Sequence, residues 1–167
     1  MIQVYTGNGK GKTTAAFGLA LRAAGAGLNV YIGQFAKGRL YHEIKALKKL
    51  SNIKIEQFGR RCFIKKSPEK IDRHLALCGL RRANELIAQR EFQLVILDEM
   101  NIAVKFGLVP LKEVLKLMES TPKTIELVFT GRYAHPQIIK TADLVSQIKE
   151  VKHYYAKGQK ARRGIEF

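Results

Sequence analysis

Thr6-Gly7-Asn8-Gly9-Lys10-Gly11-Lys12-Thr13-Thr14 follows a short apolar run, Ile2 to Tyr5, and leads straight into the alanine-rich pattern Ala15 to Ala24. A strand, a glycine-rich turn and a helix in that order are the parts of a phosphate-binding loop. Gly7, Gly9 and Gly11 let backbone N–H groups turn inward and approach an anion closely. The helix start adds unpaired N–H groups and the positive end of a dipole. Lys12 can reach the outer phosphates, and the Thr13 hydroxyl suits the Mg²⁺ that travels with a nucleotide. Lys10 is placed to contact phosphate or to neutralise it at range. The pattern G-x-x-x-x-G-K-[ST] is met except at its first position, where Thr6 stands, so the glycines are shifted inward. The plainer interpretation, a basic turn with no ligand, is countered by the strand-to-helix junction on which Gly-Lys-Thr sits.

Outward from the loop, strand and helix patterns alternate. Asn29–Phe35 reads as a second strand, continuous in apolar character, as in a parallel sheet buried on both faces. Tyr41–Leu50 has helical spacing, and Ile53–Phe58 alternates as a strand. A basic connector, Gly59 to Lys66, follows. Ser67-Pro68 is a helix-start signal, predicting a helix to about Arg90 with Ile71, Leu75, Cys78, Leu86 and Ile87 available for burial. Phe92–Leu97 is a strand closing in Asp98-Glu99. Pro110 opens a helix over Leu111–Glu119, Thr124–Thr130 is a strand, His135-Pro136 opens a short helix, and Leu144–Ile148 is the last strand. The stretch from Val151 to Phe167 is basic and has no clear period. This order implies one domain over residues 1–167. The expected fold is α/β, a three-layer, doubly wound, mostly parallel sheet of about six strands, in the P-loop (RecA-like) class.

The 167 residues suffice for a substantial core, and 46% apolar content argues against disorder. Thirty Lys+Arg against fourteen Asp+Glu give a formal charge of +16, which raises nucleic acid as a partner. The charge is spread along the chain and no aromatic-and-basic RNA signature appears, so nucleic acid is not the expected partner. Cys62 and Cys78 make neither a metal spacing nor a disulfide framework, which fits a reducing compartment. Met1 leads directly into the first strand, so no signal peptide is expected. No apolar run approaches a membrane span. The expected setting is soluble and cytoplasmic.

In doubly wound sheets, ligands sit beyond the carboxyl ends of the strands. Asp98 and Glu99, after the buried run Leu94-Val95-Ile96-Leu97, are where acids hold Mg²⁺ opposite the loop threonine. The spacing does not say which of the two touches the metal. A helix N-terminal acid is the alternative reading. Arg132, in Thr130-Gly131-Arg132, can clamp a phosphate or the charge growing on a leaving group. Lys37, in Lys37-Gly38-Arg39, has the same choice between that role and an ordinary surface cation. His153 reads as structural. No general base stands out, which fits chemistry dominated by positioning and charge neutralisation.

With these residues in view, the chain resembles the P-loop family of corrinoid adenosyltransferases nearly end to end. The resemblance is carried by Gly7 to Gly18, Gln34-Phe35-Ala36-Lys37-Gly38, Leu97-Asp98-Glu99 and Thr130-Gly131-Arg132. Ala142 to Ser146, Val151-Lys152-His153 and the closing Gly164-Ile165-Glu166-Phe167 add to it. The family reads Thr-Gly-Asn-Gly-Lys-Gly-Lys at the loop, so Thr6 is no anomaly. The resemblance implies that a reduced cobalt, Co(I), attacks the 5′ carbon of ATP and intact triphosphate leaves. The nucleotide is then reversed relative to ordinary P-loop ATPases. It implies Gly7, Asn8, Gly9, Lys10, Gly11, Lys12, Thr13 and Thr14 around the nucleotide, with Lys12, Glu99 and Arg132 in catalysis. Thr13 and Glu99 would be ligands to Mg²⁺ (or Mn²⁺), with Asp98 supporting. It also implies a reductase or flavoprotein to supply Co(I), and a homodimer. Two departures are visible. The family's aromatic pair with tryptophan, after the third strand, has Phe63 and Ile64 as stand-ins in a chain without tryptophan. The N-terminal extension of longer members, which covers the site, is expected to be absent or replaced. A RecA-like nucleic-acid-binding ATPase is the competing expectation.

Overall fold

A computed structural model describes residues 1–38, 41–60 and 67–166. The element order is β1 (Ile2–Thr6), α1 (Lys12–Gly25), β2 (Val30–Phe35), α2 (His42–Leu47), β3 (Ile53–Phe58), α3 (Lys70–Gln89), β4 (Leu94–Asp98), α4 (Met100–Lys105), α5 (Leu111–Ser120), β5 (Glu126–Thr130), α6 (Pro136–Thr141) and β6 (Leu144–Gln147). A single 3₁₀ turn, Tyr154–Lys157, follows. The six strands form one sheet in the order β3-β2-β4-β5-β1-β6, and every pairing is parallel.

The side-chain alternation of the strands separates two cores. Val4, Tyr31, Phe35, Val95, Leu97, Leu127 and Phe129 point to the face covered by α3, α4, α5 and α6. Val30, Ile32, Leu94, Ile96 and Val128 point to the face covered by α1 and α2. Successive residues of β2, β4 and β5 thus feed opposite layers, which is why those strands read as unbroken apolar runs. The expected three-layer α/β architecture is the one observed.

Three expectations are corrected in detail. The helix start expected at Ser67-Pro68 lies at Glu69, the N-cap of α3. There Glu69 and Asp72 form a reciprocal capping box, and Arg60 reaches across to Asp72 at 2.7 Å. A charged pair from β3's exit therefore outcompetes the serine cap. The buried face of α3 is Asp72, Ala76, Gly79, Leu80, Ala83, Leu86 and Ile87, so Leu86 and Ile87 are buried as expected, while in the amino-terminal half the small residues Ala76 and Gly79 take the core side. Ile71 is exposed and Cys78 only half-buried in consequence. Finally, α4 follows Glu99 directly, a six-residue helix too short to show a period in sequence.

β5 lies between β1 and β4, so its carboxyl end stands between the glycine loop and the two acids. That placement decides which side chains meet.

Candidate active site

The loop lies between Thr6 and α1. Gly7 has φ +100°, and a Cβ there would stand 2.3 Å from the Ile148 carbonyl oxygen, so only glycine fits against β6's exit. Lys12 is buried and its Nζ donates to the Gly9 carbonyl oxygen at 2.6 Å. Burial, with Arg132 nearby, holds its ammonium pKa below the ordinary lysine value.

Thr13 faces β4. Its hydroxyl donates to Asp98 Oδ1 at 2.8 Å, and Thr130 Oγ1 donates to the same oxygen at 2.6 Å. Asp98 Oδ2 accepts from Gln34 Nε2 at 2.9 Å and from Lys37 Nζ at 3.0 Å. The Asp98 side chain is fully buried. Burial opposes its charge, but Lys37, Thr130 and Gln34 more than offset that and hold the carboxyl below the usual range. The Lys37 ammonium is held above its ordinary value: burial pushes it down, and Asp98 and Glu99 outweigh burial.

Glu99 is the turn between β4 and α4. Its φ is +61°, unusual for a residue with a side chain, and its N–H donates to Thr130 Oγ1 at 2.9 Å. Ala36 and Tyr133, just past the ends of β2 and β5, also have positive φ, at 52° and 60°. Backbone strain is therefore concentrated where the strands open onto the site. Gly131, at φ +125°, lets β5's exit pass the Glu99 carboxylate, since a Cβ there would lie 3.1 Å from Glu99 Oε2.

Lys37 Nζ lies 3.2 Å from Thr13 Oγ1, 3.0 Å from Asp98 Oδ2 and 3.3 Å from Glu99 Oε1. Three oxygens from three elements thus converge on one cation. Among the described residues, no group of three or more His, Cys, Asp or Glu has metal-holding geometry. One hydroxyl and two carboxylates are a partial, all-oxygen set, which suits a hard divalent cation completed by phosphate oxygens. The residues fit Mg²⁺ or Mn²⁺ on that ground.

A cleft of about 1160 Å³ opens over this point. Asn8 to Thr14, Lys37, Glu99 and Arg132 line it, together with the apolar side chains of Phe17, Leu21, Tyr41 and Leu47. The structure therefore brings together the loop, Asp98, Glu99 and Arg132. Arg132 is exposed and has no carboxylate partner among the described residues. Phe63, with Ile64, lies outside the described residues. Gln34 and Thr130 stand in blocks that carry the resemblance, but sequence reasoning gave neither a role of its own. Beyond those blocks, the signal for their contact with Asp98 is their position at or next to a strand's carboxyl end.

The chain belongs to the ATP:corrinoid adenosyltransferase family, BtuR/CobO/CobP. That family matches residues 1–167. The chain is 34% identical to corrinoid adenosyltransferase CobA of Salmonella typhimurium, over all of this chain and 85% of that one. It is 33% identical to a corrinoid adenosyltransferase of Pseudomonas aeruginosa, over all of this chain and 83% of that one. Among solved structures, a KaiC-like protein of Pyrococcus horikoshii matches with a TM-score of 0.59 at 15% identity, covering 91% of this chain and 74% of that one. At that identity the likeness speaks for the fold alone. No helix among the described residues is long and apolar enough to cross a membrane.

Proposed function

We propose that this protein transfers the 5′-deoxyadenosyl group of ATP to the Co(I) centre of a corrinoid, releasing triphosphate, in adenosylcobalamin formation. The observation that carries this is the meeting of Lys12 and Thr13 with Asp98 and Glu99 in a chain that matches the family throughout. In the reaction, a cobalt–carbon bond forms as the C5′–oxygen bond breaks, and the electron pair leaves on the triphosphate. The burden on the protein is to hold the nucleotide and to stabilise that leaving charge.

Lys12 exchanges its bond to the Gly9 carbonyl for a phosphate oxygen, a small movement because both lie on the loop. Loop N–H groups from Gly7 to Thr14 wrap the phosphates, and Arg132 adds charge from β5's exit. Thr13 and Glu99 would hold a Mg²⁺ or Mn²⁺ ion, whose charge would offset that of the triphosphate. Both Asp98 oxygens already accept two bonds each, so Asp98 orients Thr13, whereas among the described residues the Glu99 carboxylate is paired with Lys37 alone. The apolar side chains of Phe17, Leu21, Tyr41 and Leu47 offer flat contact to a ring system. One domain over residues 1–167 carries the whole site.

Co(I) requires a strong electron donor, so a reductase or flavoprotein is the fitting partner, and the cytoplasm the fitting compartment. A homodimer fits the open edge of β6, where Leu144 and Val145 stay exposed. Sedimentation of the purified chain tests that.

The deciding experiment is an anaerobic incubation with ATP, Mg²⁺ and chemically reduced corrinoids. A new cobalt–carbon absorbance and free triphosphate are expected. ADP and phosphate instead would end the proposal and favour the nucleic-acid ATPase reading. Lys12→Ala is expected to lower turnover by at least about 100-fold.

A further inference from the structure

Of the two loop lysines, Lys12 bonds within the loop, whereas Lys10 reaches the carboxyl-terminal segment. The Lys10 Nζ lies 2.9 Å from Tyr154 Oη, 3.2 Å from the Ile165 carbonyl oxygen and 2.9 Å from Glu166 Oε1. An ammonium has three N–H donors. All three are matched by acceptors from the carboxyl-terminal segment, so none is left for a phosphate while that segment is in place. Glu166 is itself well satisfied. It accepts from the Tyr154 hydroxyl and, at 2.6 Å, from the Arg162 backbone N–H. The Arg162 guanidinium and Lys10 also sit over the Tyr154 ring, at 4.8 Å and 5.6 Å from its centroid. Tyr154 first, then Lys10, draw the Glu166 carboxyl well below the usual carboxylate range.

Among the described residues, no other hydrogen bond or ion pair ties this segment to the rest of the chain. No residue from 151 to 166 is buried, and Val151, Tyr155 and Ile165 expose their apolar surfaces. Burial of hydrocarbon therefore contributes little to its placement. Among the described residues, every hydrogen bond from 151–166 to the rest of the chain ends on Lys10. Yet His153, Gly164, Ile165 and Glu166 line the same cleft as the loop.

We propose that Lys10 is a positioning residue and not a phosphate ligand: with Tyr154 and Glu166 it clasps residues 153–166 over the phosphate loop and so builds one wall of the nucleotide cleft. The role of that wall rests on the loop being the nucleotide site; the clasp itself does not.

The two roles for Lys10 differ in sign when Glu166 is changed. The test uses the full chain as wild type, Lys10→Ala, Glu166→Gln and the double variant. Limited trypsin digestion at the basic residues Lys157 to Arg163, without nucleotide, reads the clasp. Each single variant is expected to be cut about three- to fivefold faster than wild type, the scale of an exposed ion pair, with the double variant no faster than either. Unchanged cutting in Lys10→Ala overturns the clasp. Calorimetric titration with ATP reads the wall: both single variants are expected to bind severalfold more weakly, again without additivity. If Glu166→Gln binds ATP more tightly than wild type while Lys10→Ala binds it more weakly, Lys10 is a phosphate ligand and the proposal fails. Should the wild type bind no ATP, the nucleotide reading and the wall fall, and the digestion result still decides the clasp.

Discussion

Two lysine–carboxylate pairs flank the phosphate loop, and they are built in opposite ways. Lys37 and Asp98 meet at 3.0 Å with the aspartate side chain fully buried, while Lys10 and Glu166 meet at 2.9 Å with the lysine 41% exposed. Distance alone would rank them equal. Environment separates them. Inside, Asp98 has exchanged water for four protein donors, and removing one partner leaves a charge that solvent cannot recover. Outside, water and salt replace either partner of the Lys10 pair at little cost. The buried pair holds the site's oxygens in register; the exposed pair ties the carboxyl-terminal segment to the loop.

The largest effect should come from breaking the inner pair. Asp98→Ala is expected to destabilise the fold by about 3 kcal/mol, the scale of a buried ion pair cut in half. Glu166→Ala should leave the urea midpoint unchanged within error. Equal midpoint shifts for the two variants would erase the contrast. Next is Gly131→Ala, which adds a Cβ beside Glu99 at a backbone angle that alanine resists; a loss of about 1–2 kcal/mol is expected. The same variant should weaken Mn²⁺ binding measured by electron paramagnetic resonance with ATP present.

Acid sharpens the contrast further. The Asp98 carboxyl is lowered in the folded state, so its stabilising effect is complete above the unfolded aspartate pKa of about 4 and is lost as pH falls through the lowered folded value. The stability gap between wild type and Asp98→Asn, followed by urea unfolding, should hold from pH 7 to about 5 and narrow below about 4. The smallest effect is that of salt. Raising NaCl from about 0.05 to 1 M should speed tryptic release of the carboxyl-terminal segment and leave the inner pair's contribution to stability untouched.

The glycine loop, the parallel sheet and the acids after β4 were legible because each has a local signature: loop, apolar run, charged terminus. Lys37 was left undecided between a surface cation and a site residue, and its convergence on Thr13, Asp98 and Glu99 depends on three elements distant in sequence. The bonds of Gln34 and Thr130 to Asp98 were not legible for the same reason, since a polar residue at or near a strand's end says nothing of its neighbours. Leu86 and Ile87 of α3 are buried as expected, but Ile71 and Cys78 were misjudged because apolar spacing alone passed over Gly79 and the small alanines that let the helix lie close to the sheet.

Sequence by itself determined the glycine-rich loop between the first strand and helix, the order of the six strands along the chain, and the family to which the chain belongs. Those depend on residue type and spacing over short stretches, where backbone geometry leaves few choices. Tertiary structure alone decided that β5 stands between loop and acids, that Asp98 accepts from four donors, and that Lys10 bonds to Tyr154 and Glu166. Each of these joins residues tens to more than a hundred positions apart, and only the packing of the whole sheet sets such distances.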